Sequence, residues 1–238
     1  TASVVRHTQS LLHTRQLGVN ENYVLGRGVK DAPNLVVTKV DKDGQMQWVW
    51  ELRAVAAGTF GWWRDIAVAP DGTVHVVGYY KGRGDAWHYK AGDDPRPTVT
   101  DSATLIKGDW EMPWEYPKTN GQWVQINPDG TTRNINRLKS QGSSFFTSVD
   151  VNDVGQVLIG GRYQGQTWFN MKDHSSSGWK ESCRQTCPFV TMYEAGGAFK
   201  WGKRFNHCPG DEHSAVWDAK LGADGRIIVV GGYTGEAT

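Results

Sequence analysis

The stretch DIAVAPDGTVHVVGYYKG, residues 65–82, returns as SVDVNDVGQVLIGGRYQG at 148–165 and, more loosely, as WDAKLGADGRIIVVGGYTG at 217–235. Each copy ends on Gly-x-Tyr-x-Gly, at 78–82, 161–165 and 231–235. The first glycine of that motif follows a turn glycine, Gly72, Gly155 or Gly225, by six residues. The chain is therefore built from repeats, and repeats of this kind form a rigid frame on which unrelated functions are mounted.

Upstream, every copy has an earlier turn with an acid or amide three residues before its glycine: Asp41 to Gly44, Asn127 to Gly130 and Glu194 to Gly197. The two turns are 28 residues apart in the first copy (Gly44 to Gly72), 25 in the second (Gly130 to Gly155) and 28 in the third (Gly197 to Gly225). A unit of about 45 residues results, in the range of a four-stranded blade. Short β-branched runs with a period of two flank the turns, such as Val74, Val76 and Gly78, or Val157, Ile159 and Gly161. The turns read DKDG, NPDG and EAGG, then PDGT, DVGQ and ADGR. Glycine supplies the positive φ of a tight hairpin, and Asp or Asn bonds its own backbone. Two successive hairpins make one blade, and no segment carries a 3.6-residue apolar stripe, so the spacing predicts an all-β fold and a β-propeller. Trp48 and Trp201 each stand four residues after their turn glycine, with Asn134 in that place in the middle copy; the tryptophans are expected to pack between blades.

These residues resemble a known family. VTKVDKDGQMQWVWEL (37–52) with DIAVAPDGTVHVVGYYKG, and PFVTMYEAGGAFKWGKRF (188–205) with AVWDAKLGADGRIIVVGGYTG (215–235), look like copies of the SBBP-type β-propeller repeat. WVQINPDGTTRNINRL (123–138) with SVDVNDVGQVLIGGRYQG is a weaker copy without the tryptophan. The resemblance covers about half of the chain and implies a propeller from secreted or cell-surface proteins, without catalytic residues.

The expected organisation is a single propeller region over 1–238: a partial blade at 1–33, a blade at 34–82, a long connector at 83–120, a blade at 121–165, a connector at 166–187 and a blade at 188–238. That makes about three and a half four-stranded blades, fewer than the four a closed ring needs. The expectation is a fragment of a larger propeller, with the rest of a longer chain or a protein partner closing the ring.

A net charge of +1 gives no reason to expect a nucleic-acid partner, and no apolar run approaches the length of a membrane span. Cys183, Cys187 and Cys208 are three, an odd number. In an oxidising compartment Cys187–Cys208, Cys183–Cys208 or Cys183–Cys187 could form the disulfide, leaving one thiol. His207, His213 and His174 lie near in sequence, but their spacing with the cysteines fits no recognised zinc pattern, and no metal or cofactor is expected.

The connector 83–120 interleaves Trp87, Trp110, Trp114 and Tyr116 with Asp109 and Glu111. An aromatic face stacks on the C–H side of a pyranose while carboxylates bond its hydroxyls, so these six are the candidate ligand-binding residues of a carbohydrate-binding reading. The plainer reading tucks the aromatics down on the frame. Arg83, Gly84 and Asp85 spell an adhesion tripeptide, but a tripeptide arises readily by chance and a tight Gly- and Asp-rich loop explains it fully. DKDG at 41–44 lacks the later ligands of a calcium loop. No Gly-x-Ser-x-Gly, His-Glu-x-x-His or phosphate loop occurs. The functional expectation is a non-enzymatic, extracellular or cell-surface structural or protein-interaction module of a larger surface or fibrous assembly, with carbohydrate binding by the connector as the alternative.

Overall fold

In the computed structural model, residues 10–16, 21–27, 35–54, 60–82, 84–90, 119–171, 180–205, 214–222 and 224–232 are described. Among them the fold is all-β. The strands are β1 (Ser10–Gln16), β2 (Glu21–Arg27), β3 (Leu35–Asp41), β4 (Met46–Ala54), β5 (Phe60–Val68), β6 (Val74–Lys81), β7 (Gly84–Lys90) and β8 (Asn120–Ile126). They continue with β9 (Thr132–Arg137), β10 (Lys139–Ser140), β11 (Ser144–Val151), β12 (Val157–Trp168), β13 (Lys180–Tyr193), β14 (Phe199–Arg204), β15 (Ala215–Leu221) and β16 (Ile227–Gly232).

The six turns share one geometry. In each, the residue three before the turn glycine receives that glycine's N–H on its carbonyl and donates its own N–H to the carbonyl one residue past the glycine, as Asp41 does with Gly44 and Gln45, and Asn152 with Gly155 and Gln156. All six glycines have positive φ, from 76° at Gly44 to 92° at Gly130. Asp41 Oδ1 also accepts the N–H groups of Asp43 and Gln45, the side-chain closure that favours Asp in this place.

The hairpins join into sheets of order β1-β2-β3-β4-β7, β5-β6-β8-β9 and β11-β12-β13-β14, with β10 also on β12, and a β15-β16 pair. The grouping differs by half a unit from the expected blades. The hairpin of a copy's second turn pairs with the next copy's first-turn hairpin, so each of the segments 34–82, 121–165 and 188–238 is shared between two sheets. Turn spacing is blind to this phase, because an alternating series of hairpins can be divided at either joint. The pairing of long strands sets it: β12 and β13 run side by side from Val157↔Tyr193 to Trp168↔Lys180, although a longer connector separates them than the few residues between β4 and β5. Residues 84–90, inside the expected connector, form β7 on the edge of β4, from Trp48↔Lys90 to Ala54↔Gly84.

The chain divides into two compact units, Thr1–Trp63 with Tyr80–Pro117 and Gln125–Ile135, and Arg64–Tyr79 with Lys118–Val124 and Asn136–Thr238. In the first, Leu35, Val37, Trp50, Leu52 and Trp63 are fully buried, and the rings of Trp50 and Trp63 lie 6.0 Å apart. Trp48 Nε1 donates to the Pro128 carbonyl at 2.9 Å and Trp50 Nε1 to Thr132 Oγ1 at 2.8 Å. The expected packing role of Trp48 thus takes the form of a buried indole lying across the NPDG turn of another sheet.

In the second unit the core holds Trp123, Phe146, Tyr163, Phe169, Phe189 and Tyr193. Trp201 is half-buried against Leu158, Val190, Met192, Val216 and Ala219, residues of the β11–β14 sheet and of β15. The motif Gly-x-Tyr-x-Gly has a steric cause. A Cβ on Gly161 would stand 2.2 Å from the Phe145 carbonyl oxygen and one on Gly231 2.5 Å from that of Ala215, so the facing strand leaves no room for a side chain. The motif tyrosines Tyr80 and Tyr163 are buried. Burial pushes the Tyr163 phenol up to about 12, against the opposing pull of the Arg204 guanidinium.

Cys183 and Cys187 form the disulfide, in place of the two pairings with Cys208, which lies outside the described residues. Register explains the choice. Tyr163 faces Cys187 and Gly165 faces Cys183, so five residues of β13 stand against three of β12, and the bridge closes the base of the resulting bulge. A disulfide is the mark of an oxidising compartment.

Candidate ligand-binding site

Of the six connector residues expected to bind ligand, Trp87 falls on β7, facing Glu51 in the ladder and half-buried. Tyr89, two residues on, donates its hydroxyl to Glu51 Oε2 at 3.3 Å. Trp110, Trp114, Tyr116, Asp109 and Glu111 lie outside the described residues, as do His174, His207, His213 and Arg83. Gly84 and Asp85 open β7, paired with Ala54 and Arg53, so a strand rather than a tight loop carries this part of the adhesion-like tripeptide.

A different set of residues converges in the second unit. The first strands of three successive sheets, β5, β11 and β15, are linked in series by carboxylates that accept backbone N–H groups. Asp65 Oδ2 takes the Val149 N–H at 3.0 Å, and Asp150 Oδ2 takes the Leu221 N–H at 2.8 Å. Thr147 Oγ1 adds a bond to the Val216 carbonyl at 2.6 Å. Lys220 joins the group: its Nζ donates to the Val149 carbonyl at 3.4 Å and lies 3.7 Å from Asp65 Oδ2 and 3.5 Å from Asp218 Oδ1. The acids are thus engaged by backbone donors and a lysine, and among the described residues no group of three or more His, Cys, Asp or Glu is placed to hold a metal.

Two of these first strands, β11 and β15, share a bulge. The register of β11 on β12 skips Thr147, between Phe146↔Gly161 and Ser148↔Gly160, and that of β15 on β16 skips Trp217, between Val216↔Gly231 and Asp218↔Val230. Both stand eight residues before their turn glycine, the place Arg64 holds on β5 (147 to 155, 217 to 225, 64 to 72). A bulge re-aims its side chain out of the pleat. Trp217 is 61% exposed, its indole lying over Gly232, where a Cβ would meet Cζ2 at 2.6 Å.

From Arg64 in this row an array of two arginines and two rings extends. Arg64 sits over the Tyr79 ring at 5.9 Å, Tyr79 meets Phe145 edge-on at 4.9 Å, and Arg162, opposite Phe145 in the ladder, covers the Phe145 ring at 4.7 Å. Burial, and then the charge of Arg64, hold Arg162 below the usual guanidinium range. Neither arginine forms an ion pair with a carboxylate among the described residues. Chemically the array is an electropositive patch pre-ordered by cation–π packing, suited to accept oxyanions through charge-assisted hydrogen bonds.

Sequence reading singled out none of Arg64, Tyr79, Phe145, Arg162, Trp217 or Lys220. The available sign was the eighth place before the turn glycine, where the copies hold Arg, Thr and Trp within otherwise shared surroundings. No protein-family model matches the chain, and no curated protein matches it significantly.

Proposed function

We propose that this chain is a stretch of an extracellular β-propeller of SBBP type, acting as a non-enzymatic platform that binds a partner on the side of its frame opposite the tight turns. The observation that carries the reading is the serial linkage of β5, β11 and β15 through Asp65 and Asp150. First strands bound side by side, each the start of an antiparallel meander, are what a ring of blades around one axis requires. The engaged acids of that row support a binding role over a hydrolytic one, because a general acid–base pair needs carboxylates free to exchange protons with substrate. The disulfide supports the extracellular setting. The longer polypeptide or assembly that holds this segment, purified with its disulfide intact, tests the reading by electron-microscopic class averages and by assay on a panel of glycoside, ester and peptide substrates. Annular particles without turnover are expected; turnover abolished by Asp65→Asn or Asp218→Asn would overturn the non-enzymatic role.

A further inference from the structure

We infer that Arg64, Arg162 and Trp217 form a binding site for an acidic glycan, the two guanidiniums taking a carboxylate or sulfate group and the exposed indole stacking on a sugar ring. The inference names the ligand class of the platform proposed above and rests on that reading for its role, while its geometry lies wholly within the second unit.

Three observations carry it. The first is the pair of arginines. Each guanidinium lies on an aromatic ring, Arg64 on Tyr79 and Arg162 on Phe145, and the rings touch edge to face, so the pair is held in place by its rings, with no carboxylate paired to either arginine among the described residues. Arg162 is half-buried and Arg64 exposed, and the charge of each disfavours the other; an oxyanion bound to both relieves that repulsion. The second is position. Arg64, Thr147 and Trp217 hold the same place on three first strands bound in series, so a charged group, a hydroxyl and an exposed indole follow one another along one row. An extended ligand that alternates charge with flat C–H faces matches such a row.

The third observation separates a glycan from an acidic peptide. A peptide captured at a sheet edge is held by main-chain hydrogen bonds to edge backbone. Here groups of that backbone are already taken: the Val149 N–H by Asp65, the Leu221 N–H by Asp150 and the Val216 carbonyl by Thr147. What the row offers outward is side chains, the groups that lectin-type recognition uses.

Calorimetric titration of the full protein with a hexagalacturonate, a sulfated hexasaccharide, neutral cellohexaose and hexaglutamate tests the inference. Binding of the uronate, the sulfated sugar or both is expected, with neither cellohexaose nor hexaglutamate binding comparably; which acidic sugar binds identifies the oxyanion. Arg64→Glu, at an exposed position, should weaken the binding about tenfold or more, and Arg64→Lys less, since lysine keeps the charge and loses the fork. Trp217→Ala should weaken it several-fold with the far-ultraviolet circular dichroism unchanged. Absence of binding by both acidic sugars, indifference to Arg64→Glu, or equal binding of hexaglutamate would each overturn it. An annular particle that ignores acidic sugars would overturn the ligand class and leave the platform standing; a glycan-binding particle that is not annular would do the reverse.

Discussion

Gly130 is held by two separate constraints, a backbone φ of 92° and the Trp48 indole, whose Cγ would lie 2.8 Å from an added Cβ. Gly44 has the same backbone conformation and nothing within 4 Å. Gly130→Ala should therefore destabilise the fold by about 2–4 kcal/mol and Gly44→Ala by about 1 kcal/mol, the strain alone, in urea titrations. Equal losses would mean that Trp48 does not lie against the turn. The buried phenol of Tyr163 gives a prediction in pH. Its native value is raised to about 12 while the unfolded chain titrates near 10, so the native state keeps its proton longer. Stability is complete below pH of about 10 and falls as pH rises from there towards about 12; Tyr163→Phe should flatten that fall, though not remove it, because burial also raises the Tyr193 phenol. At this scale the turn glycines and the Gly-x-Tyr-x-Gly motif were legible, since each answers a local steric demand. The contact of Tyr79 with Phe145 was not: it joins residues 66 apart (79 to 145) through a pairing of sheets that local pattern does not encode.

Among the elements, β13 carries its own bulge and a disulfide across it. The loop closed by Cys183 and Cys187 is short, so its loss should cost about 2 kcal/mol, seen as a lower denaturation midpoint for the Cys183→Ser, Cys187→Ser double variant. Thiol counting of the unreduced, unfolded chain should return one reactive thiol, Cys208; three would contradict the bridge. The links between first strands make a second prediction. Asp150→Ala leaves the Leu221 N–H without its acceptor and should cost about 1–3 kcal/mol, whereas Asp43→Ala, an exposed residue of the DKDG turn, should cost less than about 0.5 kcal/mol. Hairpins were readable from sequence because turn and strand lie within a few residues of each other. Their grouping was not, because the same alternating series divides equally well at either joint, and β7 was hidden in a stretch whose Trp, His and Tyr read as a binding loop. The site followed the same rule: the bulge that turns Trp217 outward depends on how β15 registers against β16, and a single strand's pattern holds no record of it.

For the whole molecule, the proposal is that sheets built as meanders stand around one axis with β5, β11 and β15 innermost, and that the row of Arg64, Thr147 and Trp217 belongs to a binding face. The Asp65 and Asp150 links support this because they tie first strand to first strand, and not edge to face. Such a frame would hold its ligand groups rigidly, so that differences among copies at one repeated place set specificity while the shared glycines and buried aromatics keep the blade. The measurement to make is electron microscopy of the native polypeptide or assembly bearing this segment. Class averages showing a ring of four-stranded blades around a central channel are predicted; particles in which the sheets stack face to face without a common axis would contradict the account.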